Sequence, residues 1–117
     1  MTTDTMTAKR IDARELADAL KAANLAAKVA SDESDDGGTC NMDSVVLRVP
    51  KGTRRSTIQA AAQLAGVPIT ETEWFGRGYF LALDARGQGN ARTAGVQAAR
   101  SALNARGFSA TIYYQMD

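Results

Sequence analysis

The 117-residue chain has no histidine, a single cysteine and only two prolines. Without histidine there is no Ser-His-Asp triad, no Cys-His pair and no imidazole metal ligand. One cysteine excludes an internal disulfide and a four-cysteine zinc site. The commonest catalytic acid-base is missing. Large apolar side chains are scarce too: of 52 hydrophobic residues, 22 are alanine, and Leu, Ile, Val and Phe together number 21. Disorder would normally require high net charge as well, whereas here it is +1. These shortages predict a folded but thinly cored domain of about the commonest size, suited to binding rather than catalysis, with no cofactor. Buried alanine contributes little transfer free energy, so an oligomer interface is an expected supplement.

The first ten residues, Met1–Arg10, are polar, lack the apolar run of a signal peptide and read as a flexible terminus. The remainder, 11–117, reads as one domain. No stretch has the apolar length of a membrane span, and a free Cys40 suits a reducing compartment, so a cytoplasmic setting is expected. Charge is uneven. Residues 1–43 carry five basic and nine acidic side chains; residues 44–117 carry nine basic and four acidic ones, all but one of the nine being arginine. Arginine suits planar recognition of phosphate or carboxylate.

Asp12 reads as a helix cap, with Glu15 three residues on and Ile11 placed to staple against Leu16. The spacing predicts a helix stopped at Asn24, then a strand with Leu25, Ala27 and Val29 on one face. Ala19, Leu20, Ala22, Asn24, Leu25, Ala27 and Val29 recur at constant offset as Ala102, Leu103, Ala105, Gly107, Phe108, Ala110 and Ile112. A third copy runs from Ser56 to Ile69, with Gly66 at the stop. Further strands are read at Ser44–Val49 and Arg77–Asp84. The expected fold is α+β: a ferredoxin-like β-α-β-β-α-β sheet with an N-terminal helix–strand extension and helices on one face. Ser109, Thr111, Tyr113 and Gln115, with Thr70, Thr72 and Trp74, are expected on the opposite face, which suits a partner or a second copy.

Residues 32–43 form an acidic loop. Asp32, Ser34, Asp36, Gly37 and Asp43 echo the spacing of a calcium loop. The final ligand is Asp rather than Glu, Thr39 replaces an aliphatic residue, and strands are expected on both sides, so a solvated acidic loop is the reading adopted. Cys40 has acidic neighbours and no base, which favours a structural thiol over a nucleophile. Thr39 and Asn41 offer hydrogen-bonding groups beside the glycines. Gly87-Gln88-Gly89-Asn90-Ala91-Arg92 follows a strand and opens a helix; its glycines and the helix start suit an anion. Arg92 is in line with Val96, Ala99 and Leu103 and is expected to lean toward the sheet end. Asn90 acting only as a helix cap is the competing reading. The loop has neither the Walker ending nor the dinucleotide glycine spacing.

Arg77-Gly78-Tyr79-Phe80-Leu81 is similar to the third-strand motif of an RNA-recognition sheet, but the first strand has no stacking aromatic. Residues 44–70 resemble the opening of a ribbon-helix-helix repressor, in which Ser44, Val46 and Arg48 would face DNA; the required second helix would run into Gly76 and Gly78. GGTCNMD, GQGNARTA and YYQMD together resemble small phage and prophage proteins, with Met42 where an aromatic is expected. That resemblance implies a mobile-element accessory protein that counters host defence without catalysis. Two mechanisms follow. One is sequestration of an anionic, nucleotide-like ligand by Thr39, Asn41, Gln88, Gly89, Asn90 and Arg92, with Tyr79 or Tyr113 stacking. The other is an anti-CRISPR-like inhibitor that contacts a host nuclease complex through Asp32, Glu33, Asp35 and Asp36.

Overall fold

The computed structural model describes residues 11–34, 43–73, 76–83 and 90–113. It is α+β. In chain order the elements are helix α1 (Ala13–Asp32), strand β1 (Ser44–Arg48), helix α2 (Arg55–Ala65), strands β2 (Ile69–Thr72) and β3 (Gly78–Leu81), helix α3 (Asn90–Ala105) and strand β4 (Ser109–Tyr113). The four strands form one antiparallel sheet in the order β2-β3-β1-β4.

The start of α1 is where its sequence places it. The Asp12 carboxylate accepts from the backbone N–H groups of Arg14 and Glu15 at 2.8 and 3.1 Å, satisfying two of the helix's unpaired donors. Ile11 packs against the core cluster that contains Leu16. The expected stop at Asn24 and the strand after it are overturned: α1 runs on through Asp32 without interruption. Alanine is the strongest helix former and neither Gly nor Pro intervenes, so one asparagine does not end the helix. The helical stripe simply continues. Leu16, Leu20, Ala23 and Ala27 are all fully buried, while Leu25 and Val29 stay 63% and 45% exposed. The N-terminal extension is therefore one long helix.

The other two copies of the repeat do stop as read. Gly66 and Gly107 have φ of 71° and 90°, the left-handed region where a side chain is strained. In each, the amide one residue later reaches back into the helix: Val67 N–H to the Ala62 carbonyl at 3.0 Å, and Phe108 N–H to the Leu103 carbonyl at 3.1 Å. Each chain then enters its strand almost at once.

Strand register sorts the side chains. Val45 sits opposite Leu81 and Ile112, and Leu47 opposite Tyr79 and Ala110. All six are buried in the same cluster as Leu16, Leu20, Ile58, Val96, Ala99 and Leu103 of the helices. The alternate set, Ser44, Val46 and Arg48 with Thr70, Phe80, Thr111 and Tyr113, lies on the other face. Val46 is fully buried yet stands outside that cluster. Alanine at 19, 23 and 27 of α1 and at 99 of α3 is fully buried, and small side chains at helix contacts permit close axes. The alanine content is thus spent on helix-to-helix packing.

The two sheet edges differ. At β4 the Ala110 N–H is capped by the Asn104 side-chain oxygen at 2.9 Å, a device that blunts an edge against pairing with another chain. At the β2 edge, Glu71 joins two arginines, Arg55 at 2.9 Å and Arg77 at 3.2 Å. Arg77 also donates to the Thr53 carbonyl at 2.9 Å and to the Tyr79 hydroxyl at 2.8 Å. The bond to Tyr79 is the largest influence raising the Arg77 pKa; desolvation opposes it and Glu71 adds to it.

Candidate functional site

A cavity of about 380 Å³ opens at the sheet end where β1 begins and β3 finishes. Asp43, Ser44 and Val45 line one side, Phe80 to Leu83 another, and Arg92 and Val96 of α3 a third. The volume falls in the lower part of the range of small-molecule sites, about 300–1,000 Å³.

Arg92 is placed by helical spacing. It lies one turn before Val96, which is buried with Ala99 and Leu103, and so points toward the sheet rather than into solvent. Its Nε donates to the Asp43 carbonyl at 3.0 Å. Asp43 is itself 4% exposed and is the last residue of the acidic segment, just before β1. That bond joins the chain leaving the GGTCNMD segment to the helix opened by GQGNAR, across 49 positions of sequence. The Nε bond fixes the plane of the guanidinium, whose fork matches phosphate and carboxylate oxygens.

The other predicted site residues fall in three places. Asn90 is exposed and begins α3. Tyr113 is half-buried on β4, opposite Ser44 of the cavity wall, and its ring meets Phe80 edge-on with centroids 5.5 Å apart. Tyr79 is not brought to the cavity. It is 1% exposed among the core residues, with its hydroxyl tied to Arg77, so it has no ring face to offer a ligand. The one-residue alternation of a strand explains this: Tyr79 and Phe80 point to opposite faces, and the core takes the tyrosine. Phe80, which lines the cavity, is the aromatic that sequence reasoning passed over. The signal was the pairing of Tyr79-x-Leu81 on β3 with Val45-x-Leu47 on β1. Thr39, Asn41, Gln88 and Gly89 lie outside the described residues, as do Cys40, Asp35 and Asp36.

Asp32 closes α1 and Glu33 follows it, both exposed, with no basic residue in the last turn. A helix, not a strand, therefore leads into the acidic segment. Among the described residues no group of three or more Cys, Asp or Glu could hold a metal ion. No described helix is long and apolar enough to cross a membrane.

The placement of Tyr79 on the core side also removes the RNA-recognition register, in which that position would face the ligand. For the ribbon-helix-helix resemblance, two findings conflict. β1 is hydrogen-bonded on both sides within its own sheet, and the stretch after α2 is strand β2 where a second helix would be needed. No family model matches the chain, and neither a curated protein nor a solved structure matches it.

Proposed function

We propose that this chain is a non-enzymatic binding protein that sequesters an anionic, nucleotide-like small molecule at the Arg92 cavity. The observation that carries the reading is the Arg92 guanidinium, oriented by the Asp43 carbonyl at 3.0 Å on the wall of a 380 Å³ cavity. Arginine supplies charge and a planar donor fork to an anion; Phe80 supplies an apolar wall. The start of α3, at Asn90 and Ala91, adds backbone donors and a favourable field. The underlying fold reading is the ferredoxin-like one with helices on one face. The β-α-β-β-α-β order from β1 and the strand order β2-β3-β1-β4 support it.

The biological setting, a phage or mobile-element protein acting in the host cytoplasm against a defence signal, rests on the three-segment resemblance alone. Calorimetric titration with a panel of nucleotides, comparing the parent chain with Arg92→Ala, tests the site. Heat with at least one candidate, lost in the variant, supports it; identical binding by the variant overturns it.

A second reading is inhibition of a host nuclease complex through the acidic segment. It draws on the exposed Asp32 and Glu33 at the C-terminus of α1, where the helix field disfavours negative charge. Capture of such a complex, abolished by reversing Asp32, Glu33, Asp35 and Asp36, would favour it. A homo-oligomer is the remaining element of the proposal; among the described residues Leu25, Val29 and Leu64 are the exposed large apolar side chains available to such a seam.

A further inference from the structure

Strand β2 ends the sheet and pairs with β3 on one side only. The Ala82 N–H donates to the Pro68 carbonyl at 2.9 Å. Bonded and non-bonded positions alternate along an antiparallel pair. Thr70 opposite Phe80 and Thr72 opposite Gly78 are therefore the bonded pairs that follow. The N–H and C=O groups of Ile69 and Glu71 point the other way, out of the open edge. Among the described residues nothing bonds to them. The opposite edge, at β4, carries the Asn104 cap instead.

A groove of about 540 Å³ lies between this edge and α2. Gln59, Ala62 and Gln63 of α2 form one wall, and Val67 and Ile69 form the other. Ile69 is on the helix side of the sheet, packed against the core and opposite Leu81. Arg55 is four residues before Gln59 and seven before Ala62, which puts it on the same flank of α2. It meets Glu71 at 2.9 Å, and Arg77 meets the same carboxylate at 3.2 Å. Two guanidiniums thus face one carboxylate, and the Arg55 side chain stays 62% exposed.

We infer that the β2 edge captures an extended segment of another protein, added as a further strand antiparallel to β2, with an acidic side chain opposite Glu71 and an apolar one opposite Ile69. Outward main-chain groups at alternate residues select an extended chain over a compact ligand. Residues directly opposite in a sheet share a face. The one opposite Ile69 therefore enters the groove, and the one opposite Glu71 meets the Arg55 guanidinium, where positive charge is in excess.

A second copy of this chain does not meet these demands. Pairing β2 with itself about a two-fold axis through the Ile69 and Glu71 groups leaves few registers. One sets Glu71 against the second copy's Glu71, like charges directly opposite. Another sets Ile69 against its own copy and needs the Val67 N–H, which is already given to the Ala62 carbonyl at 3.0 Å. The register between them sets Ile69 against the second copy's Glu71, which sends a carboxylate toward Ala62 and Val67 and an isoleucine toward Arg55. Of the residues lining this groove, Pro68 alone also borders the Arg92 cavity. The inference does not rest on the cavity reading, and either can fail alone.

The probe is the fluorescein-labelled peptide Ser-Thr-Glu-Thr-Val-Thr-Ser, read by fluorescence anisotropy; its Glu and Val stand in the order an antiparallel strand requires. N-methylation of both Glu and Val removes the donors to the Glu71 and Ile69 carbonyls and is expected to weaken binding at least about ten-fold. N-methylation of the Thr between them, whose N–H points away from β2, is expected to retain most of the affinity. Arg55→Glu, checked for folding by circular dichroism, is expected to weaken the parent peptide about ten-fold. A peptide with Lys in place of Glu is then expected to bind this variant better than it binds the parent chain. No binding of the peptide by the parent chain overturns the inference. So do equal effects of the two kinds of N-methylation, or a folded Arg55→Glu chain that binds both peptides as the parent does. Peptide binding that weakens as the chain concentration rises overturns it in favour of a second copy.

Discussion

Leu20 and Leu25 are five residues apart on α1 and make opposite predictions about its conformation. In the helix, Leu20 is fully buried and Leu25 is 63% exposed. A strand beginning at Leu25 would instead turn Leu25, Ala27 and Val29 to the core together. Leu20→Ala removes a side chain enclosed by the α1 core cluster, and such truncations cost about 2–5 kcal/mol through lost transfer energy and the cavity left behind. For Leu25→Ala most of the side chain is already in water, and alanine is the better helix former, so the change should lie within about 0.5 kcal/mol. Near the midpoint of a domain this size, 1 kcal/mol shifts the melting temperature by about 4–8 °C. Thermal melts followed by circular dichroism should therefore show Leu20→Ala melting at least about 8 °C below the parent and Leu25→Ala within about 4 °C of it. Equal losses in the two variants would refute the continuous helix and restore the strand.

Gly66→Ala meets no atom within 4 Å but must hold φ at 71°, so it should destabilise by about 1–2 kcal/mol from backbone strain alone; urea unfolding with an unchanged m-value checks this. Asn104→Ala leaves the Ala110 N–H without its cap and should cost about 1 kcal/mol. It also opens the β4 edge, so light scattering on heating should rise sooner than in the parent. Sedimentation equilibrium reads the oligomer directly: a self-associating parent that becomes monomeric on Leu64→Glu, with its melting temperature then concentration-independent, is the expected pair of results.

Legibility in the sequence followed the strength of the local signal. Gly66 and Gly107 stop their helices because a residue in the left-handed region reads as glycine at low ambiguity. Asn24 carries the same signal more faintly, and the surrounding alanines outweigh it. The alternation Leu25-Ala26-Ala27-Lys28-Val29 fits a strand and a helix flank equally well over so short a window. What separated them was the longer stripe Leu16, Leu20, Ala23 and Ala27.

At the site, the direction of Arg92 was readable from its place one turn before Val96. Its partner was not, because a bond to the Asp43 backbone carbonyl has no side-chain signature. The choice between Tyr79 and Phe80 depended on strand register, which is set by pairing across the sheet rather than along the chain. Either aromatic could have faced the core until Leu47 and Val45 fixed which one did.

Anion binding at the cavity, as proposed, depends on the Arg92 guanidinium. Isothermal titration of the parent, Arg92→Lys and Arg92→Ala with one panel of nucleotides tests it most directly. A charged hydrogen bond is worth about 1.5–3 kcal/mol, so Arg92→Ala should weaken the best ligand by about ten- to a hundred-fold. Lysine, which keeps the charge but loses the planar fork, should fall between. Heat from no nucleotide, or three chains with the same affinity, would contradict the account.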